Sequence, residues 1–117
     1  MPVSEGFRSF ALEQLARVGP NLRSKRMFGG VGVYSGELFF ALLDDDRLYL
    51  KVDDQTRGAF EARGLGPFRP GGPGGEVMQY YDLPVDVLED AEELRPWVMD
   101  AIGVAARAKG KRGARRR

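Results

Sequence analysis

Any chemistry in this chain must use carboxylates, lysines, tyrosines and hydroxyls, because its 117 residues include no histidine and no cysteine. That excludes a disulfide framework, a Cys/His zinc site, a thiol nucleophile and any Ser-His-Asp or Cys-His constellation. The most acidic spot is Asp44-Asp45-Asp46. Adjacent carboxylates suit a hard cation such as magnesium, but a closed site needs further oxygen ligands that are not in view, whereas aspartate is also an ordinary turn residue. The segment Gly71-Gly72-Pro73-Gly74-Gly75 has the composition of a phosphate cradle without its pattern. It lacks the trailing Lys-Ser or Lys-Thr of a P-loop and the strand–helix setting of a dinucleotide fingerprint, so it reads as a flexible connection. Tyr80 and Tyr81 with Tyr49 and Phe28 have the makings of a base-stacking platform, with only Arg47 and Lys51 as cations at neighbouring strand positions; aromatic residues also favour strands for packing alone. A desolvated Lys51 between Tyr49 and Tyr80 is the one arrangement from which a small-ligand site or an enzyme could be built. No catalytic residue, cofactor site or metal site is assigned.

The clearest partner signal is charge. The net charge of +1 conceals a split: Arg107, Lys109, Lys111, Arg112, Arg115, Arg116 and Arg117 put seven cations and no acid into the last eleven residues. The other 106 residues hold 11 basic and 17 acidic groups, a net of −6. The seven tail cations are the candidate nucleic-acid contacts, weak and non-specific, because phosphate neutralisation carries no sequence information and falls steeply with salt. The body offers no basic excess. The N-terminus has no basic segment followed by an apolar run, and the longest apolar run, Leu38 to Leu43, is far too short for a membrane span. A cytoplasmic location without membrane contact is the expectation.

The elements that must position these residues follow from periodicity. Phe7, Phe10, Ala11, Leu15 and Val18 predict a helix over 5–18, with Ser4 as N-cap and Gly19-Pro20 as its stop. From Lys25 the period changes. The spacing predicts three strands joined by tight turns, with Ser35-Gly36 as a hairpin loop and Asp44–Asp46 as a turn. Asp53 or Asp54 starts a helix over 55–63, closed by Gly64. Residues 64–75 read as an irregular loop, mobile at Pro70–Gly75, with Phe68 pairing briefly. Val77 to Tyr81 reads as a strand with Met78 and Tyr80 on one face. Pro84–Leu88 makes one helical turn. Asp90 and Glu93 begin a last helix with Leu94, Trp97, Val98, Ala101, Ile102 and Ala105 as its apolar stripe. Pro96 either kinks that helix or marks its regular start. From Ala106 to Arg117 the chain is predicted to fray into a disordered basic tail, leaving 1–106 as the domain. The order helix, three strands, helix, two strands, helix contains no βαβ unit. It predicts an α+β two-layer sandwich, an antiparallel sheet with helices packed on it.

The stretch Arg26-Met27-Phe28-Gly29-Gly30-Val31-Gly32-Val33-Tyr34 resembles the signature of the TfoX/Sxy N-terminal domain family. The resemblance continues through Phe39-Phe40-Ala41-Leu42, Asp45 to Asp53, Phe60, Met78 to Tyr81 and Pro84 to Leu88, and spans about residues 5–106. It implies a two-layer fold of order α-β3-α-β2-α, similar to secretion-chaperone-like domains. The best-known full-length members are competence regulators that assist a cyclic-AMP receptor protein at promoters and carry a further C-terminal domain of helix-hairpin-helix character. Here a basic tail stands in that place, and a stand-alone N-terminal domain is the expectation. The family supplies no catalytic residues. Arg26, Met27, Phe28, Gly29, Gly30, Tyr49 and Lys51 are therefore marked as structural or partner-surface residues, with Arg26 and Lys51 either pairing with Asp53 or lying on a ligand-facing sheet surface. The resulting expectation is a non-enzymatic regulatory adaptor in transcription, working through protein contacts, with a protein partner such as transcription machinery or a second copy. The alternatives are a small-ligand or enzymatic site around Tyr49, Lys51 and Tyr80, and a dimeric chaperone-like binding module.

Overall fold

The computed structural model describes residues 3–27, 29–70 and 78–115, with backbone alone over 111–115. Phe28, the glycine-rich stretch 71–77, Arg116 and Arg117 lie outside the described residues, as do the side chains of Lys111, Arg112 and Arg115. Helix α1 (Glu5–Val18) starts where Ser4 accepts a hydrogen bond from the N–H of Phe7. Four strands follow: β1 (Leu22–Met27), β2 (Gly30–Ser35), β3 (Leu38–Asp44) and β4 (Arg47–Lys51). Then come α2 (Arg57–Glu61), β5 (Pro67–Phe68), β6 (Met78–Leu83), α3 (Val85–Leu88) and α4 (Ala91–Arg115). The six strands form one antiparallel sheet in the order β1-β2-β3-β4-β6-β5, and the class is α+β. No described helix is long and apolar enough to cross a membrane.

Periodicity predicts three strands before α2, and the structure has four. The additional one is β1, whose run Leu-Arg-Ser-Lys-Arg-Met is too polar to alternate as a half-buried strand should. It is an edge strand, held by pairing to β2 alone among the described residues, so it needs no apolar alternation. The β2–β3 hairpin turns at Gly36 and Glu37, one residue later than predicted, with Gly36 at φ 60°. The β3–β4 turn places Asp45 and Asp46 at φ 51° and 57°, the two left-handed positions of a type I′ turn, which aspartate tolerates. Gly64, at φ 75°, closes α2 as predicted. α4 is one helix from Ala91, with Asp90 accepting from the N–H groups of Glu92 and Glu93. Pro96 lies inside it and leaves the Glu92 carbonyl without a helical donor; both residues are exposed, so water can satisfy it.

The helices share one face of the sheet. Ala11, Leu15 and Val18 of α1, Phe60 of α2, Val87 and Leu88 of α3, and Leu94, Val98, Ala101 and Ala105 of α4 join Val31, Val33, Phe40, Leu43, Leu48, Leu50, Tyr81 and Leu83 in the main core. Each fully buried leucine or valine there contributes about 1.5–3 kcal/mol. Gln14, buried on α1, donates to the Leu88 carbonyl at 2.9 Å and ties two helices together.

Two details set which residues face that core. The register between β2 and β3 slips at Val33/Tyr34, so Phe40 has no opposite residue. The bulge turns both Phe40 and Ala41 toward the helices and leaves Phe39 and Leu42 on the opposite face. At the start of β2, a Cβ on Gly30 would lie 2.2 Å from the Leu43 carbonyl oxygen. Gly29 beside it needs glycine for a different reason, its φ of 77° with open space around it. In denaturant titrations, Gly29→Ala should cost about 1–2 kcal/mol and Gly29→Asn less. Gly30→Ala should cost about 1–3 kcal/mol or more by overpacking, with no recovery in Gly30→Asn.

Candidate functional site

The face of the sheet away from the helices carries its own apolar cluster. Leu42, Phe68 and Tyr80 are buried there, with Met27, Phe39, Tyr49 and Met78 half-buried around them. Every member comes from a strand or strand end, and no described helix joins the cluster. The rings are mutually packed. Tyr34 stacks on Phe39 at 4.9 Å, Phe39 meets Tyr80 at 5.4 Å, and Tyr49 meets Phe68 at 4.9 Å. Gly32 clears space for the side chains of Met27 and Phe39, whose atoms would lie 2.6–3.2 Å from an added Cβ.

This placement corrects the platform read from sequence. Tyr80 and Tyr49 share the open face, but Tyr81 lies in the helix-side core, edge-on to Phe60, with its hydroxyl donating to Glu61 at 2.9 Å. Adjacent strand residues point to opposite faces, so a Tyr80-Tyr81 pair cannot serve one surface. The other rings on it, Tyr34, Phe39 and Phe68, are not among the platform residues that the sequence marks. Tyr34 and Tyr49 could have been assigned by alternation; Phe39 could not, because the bulge shifts its phase.

Cations frame the same face. Lys51 holds its ammonium 5.1 Å from the Tyr80 ring centre, and the Arg23 guanidinium lies 6.0 Å from that of Tyr34. The structure thus brings Lys51 and Tyr80 together, with Tyr49 on the same face turned toward Phe68. Burial pushes the Tyr80 phenol far above its ordinary range, with Tyr34 adding to the effect. Burial also raises the Tyr49 phenol, helped by the charge of Asp82. Both stay protonated at neutral pH and are poor general bases. The recess lined by Lys51, Phe39, Leu38 and Lys109 holds about 170 Å³, less than the roughly 300–1,000 Å³ of small-molecule sites.

The other marked residues have specific places. Met27 belongs to the open-face cluster and Gly29-Gly30 to the β1–β2 turn. Arg26 pairs in register with Val31, so it takes the helix-side face of the edge strand, far from Asp53, which Arg107 engages instead. Asp46 accepts a hydrogen bond from the Ser4 N–H at 2.7 Å, fastening the acidic turn to the start of α1.

The basic C-terminal stretch is the largest change from expectation. Fraying is predicted from Ala106, yet α4 continues as helix to Arg115. Alanine, arginine and lysine are strong helix formers, and two contacts anchor this part to the sheet. Arg107 donates twice to one carboxylate oxygen of Asp53, at 3.2 and 2.8 Å, and Lys109 reaches Glu37 at 3.0 Å. Two of the seven candidate phosphate contacts are thus already satisfied by acids of the body.

For Asp53, burial pushes the carboxyl up, but the bonds from Arg107 and from the N–H groups of Gln55 and Thr56 outweigh it and hold the group below its usual range. A lowered folded-state pKa stabilises above the ordinary carboxylate range, and that stabilisation is lost as pH falls through the folded value. Urea midpoints measured from pH 7 down to pH 2 should show the wild type losing stability below about pH 4. Asp53→Asn should be weaker by less than about 1 kcal/mol at pH 7, since the pair is well exposed, and should lose part of the acid sensitivity.

No curated protein matches the chain. A family model for the TfoX N-terminal domain matches residues 13–105, from within α1 through all six strands to the middle of α4. On that match the chain belongs to the TfoX N-terminal domain family.

Proposed function

We propose that this chain is a non-enzymatic regulatory adaptor that acts by binding another protein through the sheet face away from its helices. One observation carries the reading. All four helices contribute to the core on one face, while the other holds a second cluster of leucine, methionine, phenylalanine and tyrosine that no described helix joins. Aromatic and methionine side chains with an arginine at the rim are the composition of protein-binding surfaces. Family membership supports a regulatory role, and the chemistry at hand supports a non-catalytic one. The phenols near Lys51 stay protonated, and the recess beside it is small.

The test is photo-crosslinking in cells with benzoylphenylalanine in place of Tyr34, on the open face, and of Asp100, exposed on α4. The expected result is a discrete protein adduct from the Tyr34 position and none from Asp100. Adducts to nucleic acid alone, or none at either position, would overturn the reading.

Weak nucleic-acid affinity from the basic end is a separate part of the proposal. Arg107 and Lys109 are engaged with Asp53 and Glu37, so the charge for phosphate falls mainly to Lys111, Arg112, Arg115, Arg116 and Arg117. Anisotropy of a labelled duplex should show binding by the full chain that collapses with added salt, and little binding by a chain ending at Gly110. Cutting there keeps both anchors. Equal binding by the two chains would exclude the tail.

A further inference from the structure

The edge strand β1 is a cationic exception in an acidic body. Between Gly19 and Gly36 the sequence contains Arg23, Lys25 and Arg26 and no acid, whereas the 106 residues before the tail carry a net charge of −6. Residues 23–26 are all exposed. Several cations elsewhere find carboxylates: Arg47 with Asp82, Arg57 with Asp54, Arg107 with Asp53, Lys109 with Glu37. Lys25 and Arg26 have no ion pair or side-chain hydrogen bond among the described residues. Arg23 is held in place by donating to the Gly36 carbonyl at 3.2 Å.

The backbone of β1 is half used. All six residues pair with β2, in unbroken register from Leu22↔Ser35 to Met27↔Gly30, and no described strand pairs with the other side. An antiparallel strand with one neighbour leaves alternate N–H and C=O groups pointing outward, a template for an added strand. Charge decides what can be added. A second copy of β1 would bring Arg23, Lys25 and Arg26 against their own kind, which disfavours self-pairing. An extended segment carrying carboxylates would gain both the ladder and the ion pairs.

The register places those charges on both sides of the incoming strand. Arg23 and Lys25 pair with Tyr34 and Gly32 and so share the open face, whereas Arg26 pairs with Val31 and shares the helix-side face. A hollow of about 290 Å³ beside the strand, lined by Arg23, Ser24, Lys25, Tyr34 and Glu37, has room for a side chain of that segment.

We infer that β1 is the docking edge for an extended, Glu- or Asp-rich segment of a partner protein, which adds to the sheet as a seventh strand. This rests on the adaptor reading and specifies the chemistry of the partner. Main-chain bonds supply the affinity, and the cations select acidic over basic segments. A strand added there lies against the rim of the aromatic face, where Arg23 and Tyr34 meet.

The test is anisotropy of the full chain with a short fluorescent peptide rich in Glu with interspersed Val and Thr. The same peptide N-methylated at alternate residues and single-stranded oligothymidine serve as comparison probes. The Glu peptide should bind at low salt and more weakly at moderate salt, and N-methylation, which removes ladder donors but no charge, should abolish binding. Lys25→Glu with Arg26→Glu should reduce affinity at least tenfold with an unchanged circular dichroism spectrum, and that variant should bind the corresponding Lys-rich peptide instead. Equal binding of the methylated peptide, or a loss of oligothymidine binding in the Lys25→Glu, Arg26→Glu variant as large as its loss of Glu-peptide binding, would show a polyanion contact only and overturn the strand. Absence of Glu-peptide binding at low salt would overturn it as well. A benzoylphenylalanine at Ser24 separates the two readings. Protein adducts from Tyr34 but not from Ser24 would remove the edge and leave the adaptor, whereas no protein adduct from either would remove both.

Discussion

The β2 backbone passes so close to the Leu43 carbonyl that only a glycine hydrogen fits at Gly30. That approach fixes how β2 lies on β3, and the division of the molecule into two faces depends on it. From Gly30 the register runs through Val31↔Leu43 and Val33↔Ala41 until the bulge at Phe40. A one-residue slip in a sheet exchanges the two faces of a strand. Here the single extra residue is absorbed so that Phe40 and Ala41 both reach the helix side while Phe39 and Leu42 turn away. Without it, Phe39 would compete for the core that α4 covers and the second cluster would lose a ring.

With the two faces set, the helices have little freedom. α4 carries Leu94, Val98, Ala101 and Ala105 along one stripe and lies across β3 and β4, with α1 beside it and α3 tied to α1 through Gln14. Beyond Ala105 hydrophobic burial no longer holds the helix. Ion pairs take over, from Arg107 to Asp53 and from Lys109 to Glu37. The acidic body and the basic end are thus partly complementary to each other. On β1, Arg23 also acts on Glu37, whereas Lys25 and Arg26 have no ion pair among the described residues. An edge strand cannot hide its backbone, and like charges along it are the simplest protection against self-association.

The regulatory reading draws on this asymmetry. Among the described residues the helices cover one side of the sheet, and the other side carries the apolar cluster that the proposed reading takes as the partner surface. The aromatic rings there are packed against one another, so the surface is pre-organised. The Tyr80 ring is buried within this cluster and the Tyr49 ring half-buried, and burial raises both phenols so that they stay protonated at neutral pH.

Much of the fold was legible in the sequence. The α+β class, α1 with its Ser4 cap, the stop at Gly19-Pro20, the Asp45-Asp46 turn, the C-terminal glycine of α2, the Asp90 cap and the apolar stripe of α4 all follow from local chemistry: caps, φ preferences and period. The signature around Arg26 to Tyr34 also pointed to the family that the domain match shows. Tertiary structure decided what depends on neighbours distant in the chain. β1 is a strand because β2 pairs with it, not because its own residues alternate. Phe39 faces away from the helices because a bulge resets its phase. Tyr80 and Tyr81, adjacent in sequence, belong to different clusters. Arg107 and Lys109 extend a helix because carboxylates 54 and 72 residues away meet them. Each of these is a pairing energy between remote residues, and local propensity does not encode it.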